Sequence, residues 1–596
     1  MTEIFEDRIS NFKNQEIRAK LISDRWSAAR ALLFLSVFLL PYWAYKSQGT
    51  SWAFCFFVVF FSLFLIAIKK HLLVERIYKK IGFLVAINTD ELARLNRVFV
   101  REETGLEYLD VNHFYASDLD LFGKKSLFKL LNRTRTSDGS ALLANWMLVP
   151  ASKLDVIDRQ LKIAELSEKI NFRQEFESTS MLYEKQDFST QKLFHWLSEN
   201  TNSKSNNAYQ KAFYLLPFLF VLVVLAWFFE MVPASTILVS FAVNAYFLKK
   251  ISPQIKQETD QINSFSGALE AYIEMIRIFE NENWNNQGLV KLQDKVSKTE
   301  SILKELNHIF KNLSNRSNPF FLVTISIPLF WDYWYYIKLN KWKSAHSILL
   351  KNCIATVSEL EALNSLAGFK YAHPAYQTPH ISDEIFLIKT TSMGHPNIHP
   401  QKRKNNDLEI NGLGSVIILT GSNMSGKSTF QRTIGVNVVL AQMGAVVCAE
   451  AFVCSNMQLF TSMRSNDSLE EDTSSFYAEL KRLGLLLKTL DKSNNAVPIL
   501  YFLDEILKGT NSKDRHTGGK ALIEQLHKLR ASGLISTHDV ELGNEYEGKS
   551  FIANYSFSST TSQGKLLFDY QLRKGVCQSF NATELMKQIG IAVDVL

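Results

Sequence analysis

The chain has 596 residues, enough for three or four domains at about 150 residues each. Lys and Arg number 66 against 59 Asp and Glu, and this mild excess permits contact with nucleic acid or anionic lipid without pointing to either. Hydrophobic residues at 46% and charged residues at 21% exclude a disordered chain, and the scattered Cys55, Cys353, Cys448, Cys454 and Cys577, with no C-x-x-C pair, read as free thiols.

A mean hydropathy near zero conceals two very uneven regions. Residues 31–45 and 52–68 contain no charged residue, and the short link 46–51 joins them. A bilayer core takes roughly 20 apolar residues, with about 17 as the practical minimum. The pair therefore reads as a transmembrane hairpin within an N-terminal segment 1–80. A second pair, 212–229 and 232–248, reads the same way and interrupts a helical region spanning 100–370. Arg18, Lys20, Arg25 and Arg30 precede the first hairpin, and Lys69, Lys70, Arg76, Lys79 and Lys80 follow it. Lys211, Lys249 and Lys250 flank the second, while the connecting turns hold only Lys46 and Glu230. The positive-inside rule then gives four spans entering from the cytoplasm and returning to it, with everything else cytoplasmic.

Within the helical region, 283–313 has helical spacing, with Leu289, Leu292, Val296, Leu303, Leu306 and Leu313 on one stripe. Residues 320–337 are apolar but carry Pro328 and Asp332, which suits a buried or interfacial helix better than a span.

From 375 to 596 the pattern changes to alternating strands and helices. The apolar run 415–420 leads into Gly421, Ser422, Asn423, Met424, Ser425, Gly426, Lys427, Ser428 and Thr429, and 430–443 reads as a helix. Strand, G-x-x-x-x-G-K-[ST], helix is the context of a phosphate-binding loop. Its backbone N–H groups and helix N-terminus would face a phosphate, Lys427 would add a cation, and Ser428 would offer its hydroxyl to Mg²⁺. A second buried strand, 497–503, ends in Asp504 and Glu505, which would hold Mg²⁺ and polarise the attacking water. A third, 533–537, ends at His538, placed to sense a γ-phosphate.

These residues resemble the MutS mismatch-repair ATPases. Thr420–Thr429 is similar to that family's loop, with its Asn423-Met424 pair; Asp504–Thr510 resembles its acidic strand end, and Ser536–Asp539 its switch histidine. Phe460–Arg464, Ser474, Phe476 and Glu479 resemble the segment that reaches across the family's dimer interface, and the similarity runs from 394 to 592. Weaker similarity at 127–134, 154–167 and 357–367 suggests the family's core and lever helices. The resemblance implies an ATPase using ATP and Mg²⁺, and a homodimer in which Ser474 contacts the partner's nucleotide. The bland reading of Ser474 is a hydroxyl capping its own helix. It also implies DNA, mismatched or branched, as the bound partner.

Membrane hairpins stand where the family carries its mismatch-reading domain, and the adenine-stacking aromatic falls near Arg403, which could stack in its place. The adjoining basic run Lys402-Arg403-Lys404 reads as a solvated loop. The expected architecture is multidomain: membrane helical hairpins, an all-α core and lever domain, and a C-terminal α/β P-loop domain of ABC type. The expected function is a membrane-anchored, ATP-driven conformational switch acting on DNA. One alternative is a nucleotide-switched membrane tether with no DNA role. Another is an ABC-type transporter, but 468–475 reads Ser-Leu-Glu-Glu-Asp-Thr-Ser-Ser where a transporter carries L-S-G-G-Q.

Overall fold

The computed structural model describes residues 1–183, 190–198, 207–464, 475–492, 497–562 and 565–577. It has a helical N-terminal part and a C-terminal part built on two sheets.

Two helices, Thr2–Gln48 and Thr50–Leu95, run antiparallel and are joined by Gly49 alone, whose φ of 94° makes the reversal. Both extend far beyond the apolar runs, because the charged flanks are themselves rich in helix-forming Glu, Lys, Arg, Leu and Ala. The apolar windows face away from the protein, 11% and 6% buried. The other end is embedded. Phe5 and Ile87 are buried, Arg8 donates to Gln174 at 2.8 Å, and Asn88 exchanges amide hydrogen bonds with Gln174 at 3.0 and 2.8 Å.

The helical region contains Ser137–Leu148, Lys153–Glu168, Ile170–Met181, the pair Asn207–Phe228 and Ser235–Glu280, and the long helix Trp331–Ala372. Among the described residues, Thr2–Gln48, Thr50–Leu95 and Lys211–Phe228 are long and apolar enough to cross a membrane. The fourth expected stretch, within Ser235–Glu280, is not among them; Asn244 and the lysines at 249 and 250 dilute it. The stripe at 283–313 is buried as expected but lies on two helices, Gln287–Val296 and Thr299–Ser314. Lys298 at φ 65° turns the chain between them. Residues 320–337 are likewise not one helix: a short helix with a π-helical middle, Pro319–Leu329, ends at Phe330 with φ 51°, and Trp331 begins the long helix.

The strands are β1 (His380–Ile381), β2 (Leu387–Met393), β3 (Asn406–Asn411), β4 (Val416–Thr420), β5 (Ala451–Cys454), β6 (Gln458–Ser462), β7 (Ile499–Leu503), β8 (Ser532–Thr537), β9 (Ile552–Ser562) and β10 (Lys565–Lys574). One sheet has the order β1-β5-β2-β3 and the other β10-β9-β4-β8-β7-β6. In the six-stranded sheet every neighbouring pair is parallel except β9 with β10. β4, β7 and β8 are buried throughout, as apolar strands covered on both faces must be. Helix Lys427–Met443 lies between this sheet and helices Ser137–Leu148 and Lys153–Glu168, so one apolar core is continuous across both parts of the chain.

The start of the helical region, the hairpin base and the long helix meet at one buried ionic group. Arg133 donates to both carboxylate oxygens of Glu91, at 2.6 and 2.7 Å, and to the Ser365 carbonyl at 3.3 Å, while its backbone N–H donates to Ser365 Oγ. Four residues earlier on the long helix, Glu361 accepts from the Arg135 and Thr136 N–H groups at the N-terminus of Ser137–Leu148.

Candidate functional site

The C-terminal edges of β4, β7 and β8 converge, because parallel strands end on one side of their sheet. The loop after β4, Gly421 to Gly426, opens helix Lys427–Met443. Gly421 has φ 146°, and a Cβ there would meet the Phe557 carbonyl oxygen at 2.7 Å, so only glycine lets the loop pass so close to β9. Lys427 is buried and its Nζ donates to the Gly421 and Ser422 carbonyls at 2.8 and 3.0 Å. Burial pulls its pKa below the usual lysine value, against the opposing pull of Glu505 and Asp504.

β7 brings Asp504 and Glu505 to the same edge. Ser536, at the end of β8, donates its hydroxyl to Asp504, while its Oγ and carbonyl accept the Glu505 N–H at 3.0 and 3.1 Å. These bonds, together with Glu479 accepting the Leu507 N–H, hold Glu505 and Leu507 in left-handed conformations, φ 49° and 58°. His538 Nε2 lies 3.1 Å from Glu505 Oε1 and 2.8 Å from Asn423 Oδ1. A proton on Nε2 satisfies both acceptors and sets the tautomer. The hydrogen bond from His538, followed by the ion pair with Lys508, holds the Glu505 carboxyl at about 2 despite partial burial. The neighbouring Asp539 accepts from His516 at 2.7 Å, and His516 also meets Glu545 at 3.2 Å, tying this turn to helix Ser512–Lys528.

The fold thus brings together Gly421 to Thr429, Asp504, Glu505 and His538, residues far apart in the chain. Asn423 contacts His538, and Met424 is 84% exposed with φ 66°. Ser474 lies outside the described residues, as does the closing helix expected at 579–590. Helix Ser475–Lys492 begins where expected, but Glu479 turns to the Asp504-Glu505 strand end of its own chain. Ser536 and Lys508 were not singled out from sequence; a serine inside an apolar strand and a lysine three residues after Glu505 were the available signals.

One expectation changes. Arg403 does not face the loop: its Nη1 donates to the Tyr376 hydroxyl at 2.9 Å, and its guanidinium lies 5.6 Å from that ring's centre. Beside Gly426 and Thr429 is instead a cleft of about 250 Å³ lined by His395, Ile398, Lys402, Lys404, Phe557 and Tyr570. Lys402 and Lys404 line that cleft from an exposed loop, as the solvated-loop reading expects.

The donor set suits a nucleotide with Mg²⁺. The hydroxyls of Ser422 and Ser425 are buried without a hydrogen-bond partner among the described residues, donors placed for phosphate oxygens. Ser428 and Asp504 offer the hard oxygen ligands that Mg²⁺ takes.

Residues 417–596 match the family model described as MutS domain V. The chain is 27% identical to the DNA mismatch repair protein MutS of Staphylococcus saprophyticus over 274 residues, which cover 44% of this chain and 30% of the relative. It is 31% identical to that of a Geobacillus species over 233 residues, covering 38% and 26%, and 29% identical to MutS protein homolog 4 of Mus musculus over 238 residues, covering 38% and 24%. The matched part spans less than a third of each of these relatives. Over its C-terminal domain, the chain is similar to MutS-family proteins.

Proposed function

We propose that the protein is a membrane-anchored ATPase of MutS type, with the ATPase domain cytoplasmic and residues 31–45, 52–68, 212–229 and 232–248 as four spans. The carrying observation is the convergence of Lys427, Asp504, Glu505 and His538 around one glycine-bearing loop at the sheet edge. ATP would lie with its phosphates in the loop 421–429 and its base toward the cleft beside Tyr570. Lys427 would exchange its loop carbonyls for phosphate oxygens. Mg²⁺, held by Ser428 and Asp504, would neutralise phosphate charge. Glu505, ionised at neutral pH, would orient a water and accept its proton as the water oxygen attacks the γ-phosphorus and the bond to the β-phosphate oxygen breaks. His538, whose Nε2 meets Asn423 of the loop, would follow the γ-phosphate.

Two ATPase domains would pair as a homodimer, with Ser474 completing the partner's site, and DNA, mismatched or branched, would be the cargo of the switch. A second reading, a nucleotide-switched tether, is favoured by the Glu91–Arg133–Ser365 contact, which links the hairpin base to the long helix and could pass motion toward the membrane. Mg²⁺-dependent ATPase activity of the detergent-solubilised protein tests the site: Glu505→Gln should bind ATP without turnover, and Lys427→Ala should lose binding. Normal turnover by Glu505→Gln would remove the proposed base. Salt-dependent binding of homoduplex, mismatched and branched DNA separates the two readings.

A further inference from the structure

Pro319–Leu329 forms one short apolar helix whose middle, Leu322–Ser326, is π-helical; it follows the 3-10 turn Asn315–Ser317 and ends at Phe330, which reverses the chain. The start is fixed low on helix Ser235–Glu280, where Arg316 donates to Ser252. The end is fixed higher, where Asn244 Nδ2 donates to the Pro328 carbonyl at 2.9 Å. Eight helical residues separate 252 from 244, so the segment climbs about 12 Å toward the apolar tip of the hairpin. Asn244 itself lies about 7 Å on the apolar side of Lys249.

Resting on the proposed membrane placement of 212–229 and 232–248, we infer that Pro319–Phe330 is a wedge inserted into the cytoplasmic lipid interface beside the second hairpin. Ile327–Leu329 packs against both hairpin helices, and Phe213 meets the Phe330 and Tyr333 rings at 4.9 and 3.9 Å. Phe320, Val323 and Leu329 remain 76%, 53% and 39% exposed. Tyr214, Leu215 and Phe218 of the neighbouring span are exposed in the same way.

Irregular backbone enters lipid only where protein satisfies its polar groups. Here the fully buried Asn244 caps the Pro328 carbonyl, and the fully buried Asp332 accepts from Ser326 at 2.6 Å and Arg316 at 3.1 Å. Lys249 and Lys338 are exposed nearby, and Tyr214 packs on Trp334 with ring centres 4.5 Å apart. Cations and amphipathic rings at this level suit anionic headgroups. A protein partner is the poorer occupant, since a stable interface takes roughly 20–30 residues a side. Insertion of about 5–10 Å is what an interfacial apolar element makes.

The full chain carrying Cys55→Ser is reconstituted in phosphatidylcholine–phosphatidylglycerol vesicles with an environment-sensitive fluorophore on Phe320→Cys, Val323→Cys, Phe218→Cys or Ile348→Cys. Spin-labelled lipids supply shallow or deep quenching. Labels at 320 and 323 should lose most of their emission to the shallow quencher, the label at 218 to the deep one, and the label at 348 to neither. If 218 is quenched while 320 and 323 behave like 348, the wedge is refuted and the spans stand. Emission at 320 that is blue-shifted yet indifferent to both quenchers means protein covers it, which also refutes the wedge. If 218 escapes quenching as well, the membrane reading fails and takes the wedge with it.

Discussion

Glu361 gives the sharpest test of the packing between the long helix and the rest of the helical region. It is fully buried, and burial pushes its pKa from 4.5 up to about 7, although the Thr136 hydroxyl and the Arg135 and Thr136 N–H groups pull the other way. A carboxyl whose folded pKa exceeds its unfolded one binds its proton more tightly when folded. Its contribution is therefore fully present below pH 4.5 and lost as pH rises through about 7. The rise from 4.5 to about 7 corresponds to about 3 kcal/mol. Glu361→Gln keeps one oxygen to accept from the Arg135 and Thr136 N–H groups, turns its NH2 toward the Thr136 hydroxyl oxygen, and cannot ionise. Thermal or denaturant unfolding of the solubilised protein should find the two proteins within about 1 kcal/mol at pH 5 and the variant about 3 kcal/mol more stable at pH 8. Burial holds His373 at about 3 and His395 at about 4, so both tilt stability with the opposite sign, but they are common to both proteins and cancel in the difference. A flat difference curve between pH 5 and 8 would show that Glu361 does not titrate as its surroundings dictate.

Glu91→Gln should destabilise the protein by about 3 kcal/mol or more, because Arg133 and Arg173 stay buried without their carboxylate; a loss below about 1 kcal/mol in denaturant melts would contradict the buried pairing. Gly533→Ala should cost about 3 kcal/mol or abolish soluble expression, since its methyl would overlap the Tyr501 carbonyl oxygen between β7 and β8, and native-like melting would refute that closeness. The acid limb of ATPase activity should lie below pH 5, because Glu505 is held at about 2, and Lys508→Ala should move that limb upward by about one unit, as read from rate–pH profiles.

The α/β part was legible because its central strands are short buried runs, mostly apolar, each followed by a residue with distinct chemistry: Gly421, Asp504 and His538. Parallel pairing then forces those ends together. The breaks at Lys298 and Phe330 were not legible, since neither is glycine or proline and the left-handed turn depends on packing at either side. Arg403 was misplaced for a related reason: position in the chain puts it near the loop, but Tyr376, 27 residues earlier, draws the guanidinium away. Ser536 escaped notice because a serine in a buried strand announces no partner until the neighbouring strand is known.

The two N-terminal helices are each continuous, and so is Ser235–Glu280. With the apolar runs in a bilayer as proposed, the 23 residues from Lys69 to Glu91 would act as a stilt of about 33 Å, holding the sheets clear of the headgroups. A stilt made of helix also keeps angular time, advancing about 100° per residue. One residue inserted below the apolar run would swing the lipid-facing side away from the face that Glu91 presents to Arg133. Seven inserted residues, close to two full turns, would lift the domain by about 10 Å and leave the facing nearly unchanged.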